Sequence, residues 1–153
     1  MIEMLSKTSL FKDVSYDQLS DITQFCERLF MNEGDMLITE DDTGSSDIYI
    51  LIDGNVEIVS NNTNLTSGEV VLSHEDKEIF GEIAWLTNAK RTAGVRCYKG
   101  AEVIRIDGDK LMRYLEAKPE VGFIVTRRIA ETLSQRMEES DRLLKQILWN
   151  KNI

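Results

Sequence analysis

The stretch FGEIAWLTNAKRTAGV, residues 80–95, sets a Gly-Glu pair and an Arg-Thr pair at either side of a short turn. Gly81-Glu82 at the start of a loop or helix offers backbone N–H donors beside a carboxylate, while Arg91 offers a planar two-pronged donor and Thr92 a hydroxyl. Those groups suit a phosphate next to a sugar diol. The guanidinium and the N–H groups would take the phosphate oxygens, and the carboxylate would accept from a ribose hydroxyl. A salt bridge between Glu82 and Arg91 that merely closes the loop accounts for the same residues, and their types and spacing do not choose between the two readings.

Around that stretch the chain offers little other chemistry. Its 153 residues make one ordinary domain plus a tail element. With 27 acidic and 18 basic residues the net charge is −9, which would repel a polyanion unless the basic groups were gathered on one face. Nucleic acid is therefore not the expected partner. The longest aliphatic and aromatic run, IYILI at 48–52, falls far short of the roughly 20 residues of a membrane helix. MIEMLSKTSLFKD at the amino terminus lacks the basic region and apolar segment of a secretory signal, so a cytoplasmic location is expected by default. Cys26 and Cys97 lie far apart without metal-ligand spacing and read as buried thiols. His74, the sole histidine, reads as a surface residue with no serine or cysteine partner, and there is neither a phosphate-binding P-loop nor a nucleophile elbow. The expectation is a binding protein, with no catalytic residue, no metal and no cofactor. An enzyme that uses His74, such as a phosphodiesterase, stands well behind.

Local patterns supply the outline of a fold. Ser15-Tyr16-Asp17-Gln18 has the form of a capping box, and Leu19, Ile22, Thr23 and Cys26 continue at helical spacing, which predicts a short helix over 16–27. From there to about 107 the runs MLIT, IYILI, VEIVS, EVVLS and AEVIRI alternate with polar clusters and read as a small all-β body. Asp53-Gly54 between two apolar runs predicts a hairpin, and NNTNLTSG at 61–68 a polar loop. A second short helix is predicted over 109–117, with Pro119 in the first turn of the next. In that last helix Phe123, Thr126, Ala130, Leu133, Met137, Ser140, Leu144 and Ile147 recur at steps of three and four. Such a seam either folds back on the β body or pairs with a second copy. About 28 residues at 1.5 Å each would outreach a body of this size, which favours the two-fold coiled coil.

The quoted stretch resembles the phosphate-binding cassette of cyclic nucleotide-binding domains, whose usual form is Phe-Gly-Glu-Leu/Ile-Ala, a short gap, Pro-Arg, a small residue, then Ala. LFKDVSYDQLSDI, NEGDMLITEDDTGSSDIYILIDGNVEIV and AEVIRIDGDKLMRYLEAKPEVGFIV follow that family's order, so the resemblance covers about residues 9–150. It implies a mainly β fold: an eight-stranded antiparallel β-roll, jelly-roll-like, with a short N-terminal helix and a long C-terminal helix. Residues 1–118 would be the roll with its N-terminal helix, and 119–153 the helix that dimerises and acts as a lid. Carried over position by position, Glu82 would meet the ribose 2′-hydroxyl and Arg91 the cyclic phosphate. The backbone of Gly81, Ile83 and Ala84, with Thr92 and Ala93, would complete the cradle. Ser140 would lie against the base. The implied ligand is cyclic AMP, or cyclic GMP if the Thr92 hydroxyl serves a guanine. Lys90 stands where proline is common, Trp85 replaces a leucine and Gly94 a small hydroxyl or β-branched residue. Lys77 and Asp41 occupy frequent glycine positions. None of these removes a ligand-contacting side chain. The alternative within the same fold is a scaffold that dimerises and has lost its ligand. The family's bacterial transcription factors continue into a helix-turn-helix, for which no room is expected before Ile153.

Overall fold

The computed structural model describes residues 1–40, 42–60, 70–75, 79–91 and 93–151, giving for 70–75 the course of the backbone. Along them run α1 (Ile2–Ser6), α2 (Tyr16–Thr23), β1 (Cys26–Met31), β2 (Met36–Ile38), β3 (Ile48–Ser60) and β4 (Val70–Glu75). There follow β5 (Ile79–Phe80), α3 (Glu82–Thr87), β6 (Gly94–Ile106), α4 (Gly108–Ala117) and α5 (Pro119–Lys151). The expected loop at 61–68, Asp41, Lys77, Thr92 and the side chain of His74 lie outside the described residues.

Six antiparallel strands are described, where eight were expected. They form one open sheet of order β1-β6-β3-β4, with β2 paired to β6 and β5 to β3. The difference has a local cause. Asp53-Gly54 does not make a hairpin but a bulge inside β3, which runs through it for 13 residues beside an equally long β6. Gly54 does take the positive φ that the dipeptide announces, 97°, yet it uses it to bring β3 against β6. A side chain there would overlap the carbonyl of Gly100 and the Cα of Ala101.

The bulge also divides the core. Before it, Ile48 and Ile50 point to one face of β3, and Tyr49 and Leu51 to the other. One extra β3 residue between Leu51 and Asp53 inverts the alternation, so that Val56 and Ile58 join Tyr49 and Leu51. This second cluster also takes in Val95, Cys97 and Val103 of β6, with Leu37 and Ile38 of β2 and Phe80 of β5. The first cluster is covered by helices: Ile48, Ile50, Ile104 and Ile106 meet Phe11, Leu19, Leu111 and Val125. Each such fully buried side chain contributes roughly 1.5–3 kcal/mol of transfer free energy.

The helices begin where expected and end on tertiary grounds. In α2 the capping box is present, with Ser15 Oγ accepting from Gln18 N at 3.3 Å and Gln18 Oε1 from Ser15 N at 3.2 Å. The helix stops at Thr23, short of the predicted 27, because Cys26 pairs with Ile106 and starts β1. The thiol of Cys26, half-buried, donates to Ile22 O at 3.2 Å, and Cys97 is buried. The helix α1 was not anticipated. α4 starts one residue before the prediction, with Asp107 accepting from Lys110 N at 3.1 Å, and α5 starts on Pro119.

At 33 residues α5 is ~50 Å long. Its first half folds back onto the body through Val121, Val125 and Ile129. The seam read from the sequence is a different stripe: Phe123, Met137, Leu144 and Ile147 are all more than half exposed. Leu133 belongs to both, packing partly buried against the core. None of the described helices is long and apolar enough to cross a membrane.

Candidate functional site

Gly81 joins β5 to α3 with φ 89°, a conformation that a Cβ would strain. Space forbids the Cβ as well, since it would come within 2.7 Å of Asp47 O and 2.8 Å of Arg91 Nη1. The glycine therefore lets the guanidinium of Arg91 lie directly on the backbone. Arg91 Nη1 donates to Gly81 O at 3.0 Å and Nη2 to Asp47 O at 2.8 Å, and its own N–H reaches Asp42 O at 3.0 Å. Arg91 is only 4% exposed. Among the described residues it forms no ion pair, so its charge is held in place by carbonyl dipoles rather than compensated by a carboxylate.

Glu82, 5% exposed, has a different partner from the one its sequence neighbourhood suggested. Its Oε1 pairs with Nη1 of Arg136, from α5, whose Nη2 donates to Ile79 O at 2.6 Å. The loop-closing salt bridge between Glu82 and Arg91 is thus not formed. Both residues remain in one site, but each is satisfied from elsewhere. Arg136 was missed by the sequence reading because it stands between the seam positions Leu133 and Met137, where a charge reads as solvated. Only the register of α5 on the body brings it to Glu82.

Ile38, Ile58, Phe80 and Val95 supply the apolar lining of a cavity of about 180 Å³ beside these groups. Glu82, Lys90, Arg91 and Arg136 supply its charges. Of the other residues singled out in the sequence, Gly81, Ile83, Ala84 and Ala93 line it too. Ser140 does not. It is exposed on α5, one turn beyond Arg136, and Thr92 lies outside the described residues. Trp85 fixes the site from behind: buried, it donates from Nε1 to Gly108 O at 2.8 Å and so ties α3 to the start of α4. No group of three or more metal-ligating side chains occurs among the described residues. What the arrangement can do chemically is hold an anion against Arg91 and a hydroxyl against Glu82 Oε2, with apolar surface for the rest of a ligand.

The family model for the cyclic nucleotide-binding domain matches residues 28–118, more than half of the chain and all of the sheet and cassette from β2 onward. The chain belongs to the cyclic nucleotide-binding domain family. Domains of this family are regulatory or sensor modules. Solved structures agree in fold. A cyclic nucleotide-binding domain from Methylobacillus flagellatus superposes with a TM-score of 0.76 at 22% identity, over 95% of this chain and 81% of that one. The catabolite activator protein of Thermus thermophilus gives 0.70 at 20% identity, and this chain, 92% covered, spans 63% of it. The regulatory domain of Toxoplasma gondii PKA, solved with cAMP, gives 0.59 at 21% identity over 76% of this chain and 42% of its own. No curated protein sequence matches the chain.

Proposed function

We propose that this domain is a sensor that binds a cyclic nucleotide, cyclic AMP first and cyclic GMP as a second ligand, and passes its occupancy to α5. The observation that carries this reading is Arg91: a buried guanidinium that lines a cavity without a carboxylate partner among the described residues calls for an anionic ligand. In this reading Arg91 takes the cyclic phosphate and Glu82 the ribose 2′-hydroxyl through Oε2. Gly81, Ile83, Ala84 and Ala93 enclose the sugar-phosphate, and Thr92 adds its hydroxyl. The apolar wall of Ile38, Ile58 and Val95 takes the non-polar surface of the nucleoside. Residues 1–118 then act as the binding body, and 119–153 as the lid and pairing element. The ion pair between Glu82 and Arg136 gives the ligand a lever on α5, since a hydroxyl at Glu82 changes the contact that holds the helix. Occupancy shifts α5 only by the difference in contact between the two states.

The second copy of this chain is the other proposed partner. The exposed stripe from Phe123 to Ile147 favours a homodimer through α5, with Ser140 of each helix near the two-fold seam. That same stripe would serve a scaffold that has no ligand. Calorimetric titration with cyclic AMP and with cyclic GMP separates the readings: saturable heat at one site per chain supports the sensor, and no heat with either nucleotide leaves the scaffold.

A further inference from the structure

Every residue of α5 from Met137 to Lys151 is exposed, about 22 Å of helix that the body does not cover. Along it the seam keeps a seven-residue period, with Met137 and Leu144 on one line and Leu133, Ser140 and Ile147 on the other. That phase fixes what flanks the seam. Arg136 and Leu143 stand just before the first line, and Asp141 and Leu148 just after the second. Leu143 is 60% exposed and Leu148 51%, so the apolar surface spills past both edges of the seam.

Two copies can cover this face in either direction, and the flanking residues decide between them. In a parallel, in-register pair each residue before the seam faces the residue five positions further along the other helix. Leu143 then meets the partner's Leu148, and Arg136 meets the partner's Asp141. In an antiparallel pair the residues before the seam face one another. Those are Gly122, Ile129, Arg136, Leu143 and Asn150, none of them a carboxylate, so Arg136 would gain no counter-charge there. Arg136 stands where the body-facing side of α5 meets the seam. Its side chain keeps 21% exposure while Nη1 reaches Glu82 and Nη2 reaches Ile79 O, and a guanidinium carries more N–H groups than these two contacts use.

We propose that α5 pairs with a second copy in parallel and in register, and that the partner's Asp141 joins Arg136, so that each protomer adds a carboxylate to the other's site. The proposal rests on the reading of a second copy as partner and names the residue that this copy brings to the cavity. Arg136 then bridges Glu82 and the partner's Asp141. A ribose hydroxyl donating to Glu82 draws off part of its negative charge and loosens its hold on Arg136, which turns further towards the partner's carboxylate. Cyclic nucleotide therefore tightens the dimer, and by linkage the dimer binds cyclic nucleotide more tightly.

The test compares the whole chain as parent, Ser140→Cys, Asp141→Asn and Glu138→Gln. Ser140 faces its own counterpart only across a parallel seam. Mild oxidation should link Ser140→Cys into a covalent dimer and leave the parent, whose Cys97 is buried and Cys26 half-buried, unlinked. Sedimentation over a dilution series, with and without cyclic AMP, gives the dissociation constant of the dimer. Cyclic AMP should lower it about fivefold in the parent and equally in Glu138→Gln, which removes a carboxylate from the same stretch of helix away from the seam. In Asp141→Asn the dimer should be about threefold weaker, the scale of one exposed charge pair, and cyclic AMP should no longer shift it. A dimer that Ser140→Cys does not link, or an equal cyclic AMP shift in Asp141→Asn, overturns this proposal and leaves the second copy as partner. A parent that stays monomeric and binds cyclic AMP removes the dimer and this proposal together and leaves the sensor. A linked dimer that binds no cyclic AMP overturns the proposal and the sensor reading with it. Matching thermal melts show that the variants are folded.

Discussion

Gly81, Arg91, Glu82 and Arg136 form one cluster in which each residue constrains the next. Gly81→Ala places a Cβ in positive-φ backbone and against both Asp47 O and the guanidinium of Arg91. It should destabilise the chain by about 1–3 kcal/mol in urea unfolding and displace Arg91. A variant as stable as the parent would mean that the loop has another conformation. The ion pair predicts an asymmetry. Arg136→Ala leaves the carboxylate of Glu82 buried without its counter-ion and should cost about 2–3 kcal/mol, below the range for fully dry pairs because Arg136 is partly exposed. Glu82→Gln should cost less, because the long Arg136 side chain can turn its charge to water. The double variant should recover stability relative to Arg136→Ala. Urea unfolding of the three at one protein concentration measures this, and equal costs for both single changes would contradict it. The types of Glu82 and Arg91 made both legible in the sequence as candidate site residues, and both line the cavity. Their partners were not legible: Arg91 is held by carbonyls, which no residue type announces, and Glu82 by a helix 54 positions away.

At the scale of elements, α5 uses two faces for two purposes. Val121, Val125 and Ile129 hold it to the body, while Leu144 is 55% exposed. Leu144→Asp should therefore leave the helical circular dichroism of the chain intact and split the proposed dimer, because each charge would be buried unpaired at the seam. Light scattering checks it; a variant that keeps the parent's mass places the contact elsewhere. The three-four period was legible, but period alone cannot say which stripe meets the body, since both recur at the same spacing. Strand signals failed for a related reason at Asp53-Gly54, where a positive-φ glycine serves a bulge as well as a turn. Contacts between elements also set an alkaline limit. Tyr114 of α4 donates to Asp21 Oδ2 of α2 at 2.9 Å, and burial first, then that carboxylate, pushes its phenol from 10.0 up to about 12. The folded pKa lies above the unfolded one, so this contribution is complete below pH 10 and is lost as pH rises from 10 through 12. Cys26, pushed by burial from 9.0 up to about 12, adds a loss in the same direction from pH 9. Urea midpoints measured at pH 9, 10 and 11 should fall, and less steeply in Tyr114→Phe; identical slopes would show that the hydrogen bond does not survive in solution.

For the whole molecule, an acidic chain carries a cavity lined by the buried Arg91, backed by an apolar wall and latched by the helix proposed to pair it with a second copy. The order of elements and the family were legible because the cassette is long and its residue types are unusual together. The open sheet and the latch were not, because both depend on which distant residues meet. Everything proposed about ligand, lid and output depends on Arg91 meeting an anion in that cavity. The direct test is a calorimetric titration of the parent and of Arg91→Ala with cyclic AMP at one ionic strength, with thermal melts to show that both are folded. The account predicts saturable binding to the parent and a loss of about 2–4 kcal/mol, roughly 30-fold to 1,000-fold in Kd, in the variant. Equal affinity of the folded variant and the parent would contradict it, since Arg91 would then be a structural clamp between Gly81 and Asp47 and not the phosphate's counter-charge.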